Sequence, residues 1–395
     1  MKKIISFFII AISLATMNIH AAEKTPDEQI LALMNDYLAK HKHEYVTAAS
    51  VSIGYPDNKI VDYYAGTVSS EKNAANVTAQ NLFQLGSITK SFASVIILQL
   101  EKEGVLNINQ TIGDWLPQYP KWKNITIKQL LNMTSTIPGY VTVPELALKI
   151  NNDIHHQWTD AQIIDFVYKF PHVTKGYDYS DTNYLLLAMI IEKATKSSFE
   201  KQMQERILSV YPLHNTFYYV TPYPASILNR LVHGYYYGNS TGKLVSGEDV
   251  TTANMSMAGA AGAVISTTGD LVNWVKMLYT GKLLAPAQQK ELLQIVSMQN
   301  GKPLIMSSKG KTFNSGFGLG IMEVYRPEFG KYWFYGADTP GHRAYYMLSQ
   351  CNQLIVTLAL NSSPFVDAKA KEDGSELLFA IYKIILENQP QYHCS

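Results

Sequence analysis

Phe83-Gln84-Leu85-Gly86-Ser87-Ile88-Thr89-Lys90-Ser91-Phe92 opens the most apolar helical stretch of the chain, which runs on to Glu103 and stops at Gly104. An apolar run closed by a glycine predicts a long buried helix with Ser87 in its first turn. Residues three apart on a helix share a face, so Lys90 lies beside Ser87. The helix N-terminus adds backbone N–H groups and a partial positive charge, both of which favour a developing oxyanion. A lysine in partly dry, cationic surroundings loses its proton readily and can accept one from the serine hydroxyl. An ordinary capping serine followed by a surface lysine carries the same short pattern.

Ser-x-x-Lys by itself is a weak signal, since it begins five times here, at Ser69, Ser87, Ser198, Ser240 and Ser308. Context separates them. Ser69, Ser240 and Ser308 sit in polar, loop-like surroundings, and Ser197-Ser198-Phe199-Glu200 reads as a capping box at a helix start.

Outward from Ser87 the texture changes twice. Upstream, residues 26–43 carry apolar side chains at helical spacing, and Ala48 to Tyr55 and Ile60 to Gly66 read as a hairpin around Pro56-Asp57-Asn58. Downstream comes a helix-rich middle: Ile127 to Met133, Ala161 to Phe170, Asn183 to Thr195, and a further helix through Leu208. From Leu231 strand signals return with Tyr235, Tyr236 and Tyr237, interrupted by helices at Thr268 to Tyr279 and Pro286 to Val296. Gly318 to Val324, Tyr332 to Tyr335, Ala344 to Leu348 and Ile355 to Leu360 read as strands, and Glu376 to Leu386 as a closing helix. Strands at both ends with helices inserted between them predict one α+β domain, residues 22–395, carrying a helical lobe over about residues 81–230. A cleft between the two parts is the natural ligand site.

Composition fits a packed globular protein: 47% hydrophobic and 16% charged residues, with no low-complexity tract and no repeat. Lys2 and Lys3 precede an apolar run from Ile4 to about Met17 and a small-residue exit at Ala21-Ala22, which predicts a secretory signal peptide over residues 1–21 and an exported, periplasmic or secreted product. The run is too short to span a bilayer comfortably, and no later segment reads as transmembrane, so no stable span is expected after cleavage. Residues 1–21 hold two of the 33 basic residues, which leaves 31 against 32 acidic ones. A near-neutral chain without basic clusters gives no electrostatic reason to expect nucleic acid, and points to a small-molecule or peptide partner. The two cysteines, Cys351 and Cys394, can pair in an oxidising compartment or stay free; their number does not choose. His41/His43 and His155/His156 lack the spacing and the accompanying ligands of a metal site, so neither metal nor cofactor is expected.

The Phe83–Phe92 segment resembles the nucleophile segment of class C β-lactamases and the related serine D-Ala-D-Ala carboxypeptidases. The resemblance continues in order through Ile125–Ser135, through Tyr177-Asp178-Tyr179-Ser180-Asp181-Thr182-Asn183-Tyr184, through Ala261–Leu271, and through Gly316-Phe317-Gly318-Leu319-Gly320. It implies a mostly antiparallel sheet flanked by helices with an inserted all-helical lobe, the β-lactamase/transpeptidase-like fold. It further implies Ser87 as nucleophile, Lys90 as its partner, and Tyr179 sharing the proton traffic over the cleft. Tyr237-Gly238-Asn239 is a rival to the second motif, but it lies at a turn signal and reads as hairpin chemistry.

Two departures stand out. Asp181 occupies the place where the family usually has asparagine; an amide donates to a substrate carbonyl, and an ionised carboxylate cannot. Its charge also favours protonated Lys90, which shifts base work toward Tyr179, or Asp181 simply pairs with Lys90 and orients it. The third motif, normally Lys or His, then Thr or Ser, then Gly, has Tyr335-Gly336-Ala337 as its nearest equivalent, the other alignment placing a short deletion there; the resemblance makes Asp338 the candidate for the second oxyanion N–H. The cationic grip on a substrate carboxylate is lost there, and Arg343 is the candidate to replace it. The resemblance implies acyl transfer through Ser87 on a D-Ala-D-Ala-like peptide, a β-lactam or an ester. Carboxypeptidase, β-lactamase and carboxylesterase stay open, with the altered third motif favouring a broad peptidase or esterase. A binding protein that has lost turnover is the reading from outside the enzyme class.

Overall fold

The computed structural model describes residues 24–173, 176–239, 242–307, 312–365 and 374–394. The expected leader and the patterns beginning at Ser240 and Ser308 lie outside the described residues. Helix Pro26–Lys40 starts where the Thr25 side chain accepts from the Glu28 N–H and the Glu28 carboxylate accepts from the Thr25 N–H. It stops short of the expected residue 43, giving way to a tight turn at Lys42–Glu44.

In chain order the strands are β1 (Ala48–Gly54), β2 (Ile60–Gly66), β3 (Phe83–Gln84), β4 (Thr216–Tyr218), β5 (Tyr235–Tyr236), β6 (Val264–Ser266) and β7 (Ile295–Ser297). They continue as β8 (Pro303–Leu304), β9 (Asn314–Phe317), β10 (Met322–Arg326), β11 (Gly330–Asp338), β12 (Arg343–Ser349), β13 (Ile355–Leu360) and β14 (Ser362–Ser363). Nine of these form one sheet in the order β2-β1-β13-β12-β11-β10-β9-β7-β8, antiparallel throughout. The N- and C-terminal strands therefore meet at β1 and β13, while the helix-rich middle is inserted between β2 and the later strands.

Alternation along β12 shows how the sheet is held. Ala344, Tyr346 and Leu348 pack with Trp274 and Val275 of helix Thr268–Tyr279 on one face. Tyr345 and Met347 pack with the terminal helices Pro26–Lys40 and Ser375–Asn388 on the other. Burying each large apolar side chain contributes about 1.5–3 kcal/mol, so both helical layers are firmly attached. A second, small sheet, β3-β6-β4, lies at the two borders of the helical segment and fixes the start of the Ser87 turn.

Several local expectations shift. Of the strand expected from Gly318 to Val324, Met322–Val324 is strand, the start of β10, while residues 318–321 form the turn from β9, with Gly320 at φ +76°. Strand β11 extends past the expected Tyr332–Tyr335 in both directions. Ser198, not Ser197, caps its helix by accepting from the Lys201 N–H. Cys351 and Cys394 are disulfide-bonded, with Cα atoms 5.9 Å apart.

Candidate active site

Strand β3 delivers the chain to a tight turn, Gly86–Ile88, that leads into helix Thr89–Lys102. Gly86 has φ +50°, and a Cβ there would meet the Asp338 carbonyl oxygen at 2.7 Å, so the turn demands glycine. The turn is pinned to β6: the Leu85 N–H donates to Val264 O (2.8 Å), and the Val264 N–H donates to Thr89 Oγ1 (3.0 Å). The helix behind it is anchored by Trp274, whose ring stacks on Phe92 at 3.6 Å and whose Nε1 donates to Ser91 Oγ at 2.9 Å.

Lys90 is fully buried, and its Nζ donates to Ser87 Oγ (2.9 Å), Asp181 Oδ1 (2.5 Å) and Ala261 O (3.0 Å). Those acceptors match the three donors of an ammonium. Burial nevertheless holds the Lys90 amine below its ordinary pKa, with Asp181 pulling the other way. The enclosure is complete and the carboxylate partly solvated, so burial outweighs the ion pair.

Tyr179 and Asp181 come from the segment before helix Thr182–Thr195, and the Ile127–Leu131 helix with its following turn holds them. The Asp178 N–H donates to Met133 O (3.1 Å), Asn183 Nδ2 donates to Leu130 O (3.0 Å), and Thr182 Oγ1 donates to Pro138 O (2.7 Å). The turn uses left-handed conformations at Met133 and Thr136, both at φ 63°. The Tyr179 phenol touches Ser87, and its oxygen lies 3.1 Å from Tyr335 Oη. Burial first, and Asp181 next, push the Tyr179 phenol well above its ordinary pKa, so it stays protonated.

The other wall is the end of β11. Strand β10 pairs with β11 only as far as Phe334, leaving residues 335–338 as an edge toward the cleft. The Thr339 N–H donates to His342 O, so ladder alternation turns the Asp338 N–H away from β12 and toward that edge. Gly86 lies against it. The Ser87 turn and the Asp338 backbone thus sit together where an oxyanion would be bound.

These walls enclose a cleft of about 310 Å³. Of the expected residues, Ser87, Tyr179, Asp181, Gly336, Ala337 and Asp338 line it, and Lys90 lies directly beneath. Tyr335 stands behind the wall and reaches Tyr179. Arg343 is a correction. It is 1% exposed, does not line the cleft, and directs its guanidinium to Glu44 Oε2 (2.5 Å), Ser362 O (2.8 Å) and Tyr237 Oη (3.1 Å). A buried carboxylate from the far end of the chain claims it, so it does not replace the missing cation. The rival Tyr237-Gly238-Asn239 also lies outside the cleft lining. Reading the sequence missed Tyr140, Met255, Met257, Thr339 and Phe365, which come from separate loops without a motif. Among the described residues no His, Cys, Asp and Glu group is arranged to hold a metal.

A family model described as Beta-lactamase matches residues 35–380. Penicillin-binding protein 4* of Bacillus subtilis (strain 168) is 27% identical over 271 residues, covering 66% of this chain and 56% of that protein. Protein flp of Staphylococcus aureus (strain MW2) is 30% identical over 217 residues, covering 54% of this chain and 41% of flp. The chain thus spans about half the length of these curated relatives. Among solved structures, D-amino acid amidase from Ochrobactrum anthropi SV3 superposes with TM-score 0.76 at 22% identity, covering 92% of this chain and 100% of that one. D-stereospecific amidohydrolase from Streptomyces sp. gives TM-score 0.73 at 24% identity, covering 89% and 98%. The octameric penicillin-binding protein homologue from Pyrococcus abyssi gives 0.68 at 20% identity, covering 90% and 76%. At these identities the structures share the fold.

Proposed function

The chain belongs to the beta-lactamase family of serine hydrolases, and from that membership we propose that it cleaves amides or esters of D-configured amino acids through an ester on Ser87. The observation that carries this reading is the 2.9 Å contact of Ser87 Oγ with Lys90 Nζ at the floor of the cleft. In its neutral form Lys90 keeps two N–H donors for Asp181 and Ala261 and turns its lone pair to Ser87, taking the serine proton as Oγ bonds to the substrate carbonyl carbon. The oxyanion is received by the N–H groups of Ser87 and Asp338. As the tetrahedral intermediate collapses, the bond from carbon to the leaving nitrogen or oxygen breaks. Tyr179 gives that atom its proton and recovers one from Lys90. Water then adds to the Ser87 ester by the same route, releasing the acid and restoring the serine hydroxyl.

The D-configured class is supported by the D-amino acid amidase and the D-stereospecific amidohydrolase among the structural neighbours. A carboxypeptidase needs a cation for the substrate carboxylate. Tyr335 at the third-motif position and the diversion of Arg343 weigh against that role. The Cys351–Cys394 bond supports an exported, oxidising location, which N-terminal sequencing of the mature protein would test at Ala21. Intact mass after mixing with a D-amino-acid p-nitrophenyl ester, and separately with a penicillin, tests the mechanism. An acyl adduct on the wild type and none on Ser87→Ala is expected. Ester turnover that survives in Ser87→Ala would overturn it.

A further inference from the structure

We infer that Asp181 selects substrates bearing a free, positively charged α-amino group beside the scissile carbonyl, and rejects their N-acylated counterparts. The inference rests on the acyl-transfer reading above and adds the substrate's amino end to it.

Asp181 Oδ1 accepts from Lys90, while among the described residues no hydrogen bond engages Oδ2. The side chain is 15% exposed, and the residue lines the same cleft as Ser87 and Tyr179. A group placed there meets an acceptor with no donor to offer. An N-acyl substrate would bring a carbonyl oxygen toward that carboxylate, acceptor against acceptor. A free ammonium brings donors and the opposite charge.

The rest of the cleft agrees. Among the described residues that line it, Asp181 and Asp338 are charged and none is a lysine, arginine or histidine. Lys90 is the nearby cation, but it is buried beneath the cleft and engages Oδ1, which leaves Oδ2 to the incoming ammonium. The ladder alternation that turns the Asp338 N–H to the edge turns its carbonyl there too, a second acceptor beside Gly86. Met255 and Met257 provide apolar lining for a substrate side chain. The preferred substrate is therefore an amino-terminal residue, as an amide, ester or short peptide, cleaved one residue from its free amine.

Steady-state hydrolysis of D-phenylalanine p-nitroanilide and of its N-acetyl derivative tests this, on wild type and on Asp181→Asn. Wild type should favour the free amine in kcat/KM by roughly 10- to 100-fold, the range of a charge-assisted hydrogen bond. Asp181→Asn, which keeps an acceptor for Lys90, should collapse or invert that ratio, chiefly through KM. Turnover of both substrates with the ratio unchanged in the variant overturns the role of Asp181 while leaving the hydrolase reading intact. No turnover of either anilide or of p-nitrophenyl acetate, with no adduct on Ser87, overturns the hydrolase reading and this inference with it. Calorimetry on Ser87→Ala is independent of how Asp181→Asn folds. D-phenylalanine amide should bind roughly tenfold or more tightly than N-acetyl-D-phenylalanine amide, and equal or reversed affinities overturn the inference.

Discussion

Single residues set the geometry of the cleft, and Gly86 is the tightest of them. Its φ of +50° and the 2.7 Å approach of the Asp338 carbonyl to any added Cβ mean that Gly86→Ala must push the β11 edge away from the Ser87 turn. Displacing one oxyanion donor typically costs about 100- to 1,000-fold in kcat. That loss is expected in Gly86→Ala with a D-amino-acid ester, and a kcat within a factor of three of wild type would show the edge is not the donor. Tyr335 acts differently. It touches Tyr179 rather than substrate, as a positioning residue, through a single phenol–phenol hydrogen bond of 3.1 Å. Tyr335→Phe removes that bond and little volume. The expected loss is roughly 3- to 10-fold in kcat, the worth of one neutral hydrogen bond, with KM nearly unchanged. A larger rise in KM than fall in kcat would instead place Tyr335 in substrate binding.

Elements carry those residues, and they were unevenly legible in the sequence. The long helices were readable because each turns a continuous apolar stripe to the core: Thr268–Tyr279 has its expected bounds, and Thr182–Thr195 begins one residue early. The Ser87 turn was readable because β3, the glycine and the helix follow one another in a short segment. What depends on distant pairing was not. Strands β4 and β6 are three residues each and have meaning only through their pairing with one another and with β3. Arg343 was expected in the cleft because no local signal announces Glu44, which lies 299 positions away. Gly318–Val324 read as strand, yet the turn at Gly320 lets the chain pass within reach of Ser94 and Tyr184, where a Cβ would clash at 2.4 and 2.7 Å. The helix carrying Lys90 gives an element-scale prediction. Trp274→Ala removes the stack on Phe92 and the bond to Ser91 together, and truncating a buried aromatic of this size costs about 3–5 kcal/mol. Urea unfolding should show that loss, and Trp274→Phe, which keeps the stack, should recover most of it. Equal losses in both variants would assign the anchoring to the hydrogen bond.

Across the whole molecule the site is a seam. Ser87 and Lys90 come from the border of the helical segment, Tyr179 from its interior, and the Asp338 edge from the sheet, so the cleft exists only while the two parts stay docked. His342 lies on that seam. Its ring is 1% exposed, packs edge-on against Phe83, and bridges Gln84 Oε1 (3.2 Å) and Val232 O (3.0 Å) from the hairpin turn that follows Asp338. Burial pushes its pKa down from 6.5 to about 4, with the Val232 carbonyl and Asp249 raising it and His233 lowering it. Between those two values the unfolded chain binds the proton and the folded one does not, so stability rises with pH across the window. The contribution is complete above pH 6.5 and is lost as pH falls toward 4. Its full size is on the order of 3 kcal/mol, from 1.36 kcal/mol per pKa unit. His342→Gln keeps a donor for the Val232 carbonyl but cannot take up a proton. Thermal unfolding of both proteins at pH 7.5 and pH 4.5 should therefore show a smaller acid-induced drop in Tm for the variant. Parallel drops in the two proteins would mean that the carboxylates alone set the acid limit and that the seam opens elsewhere.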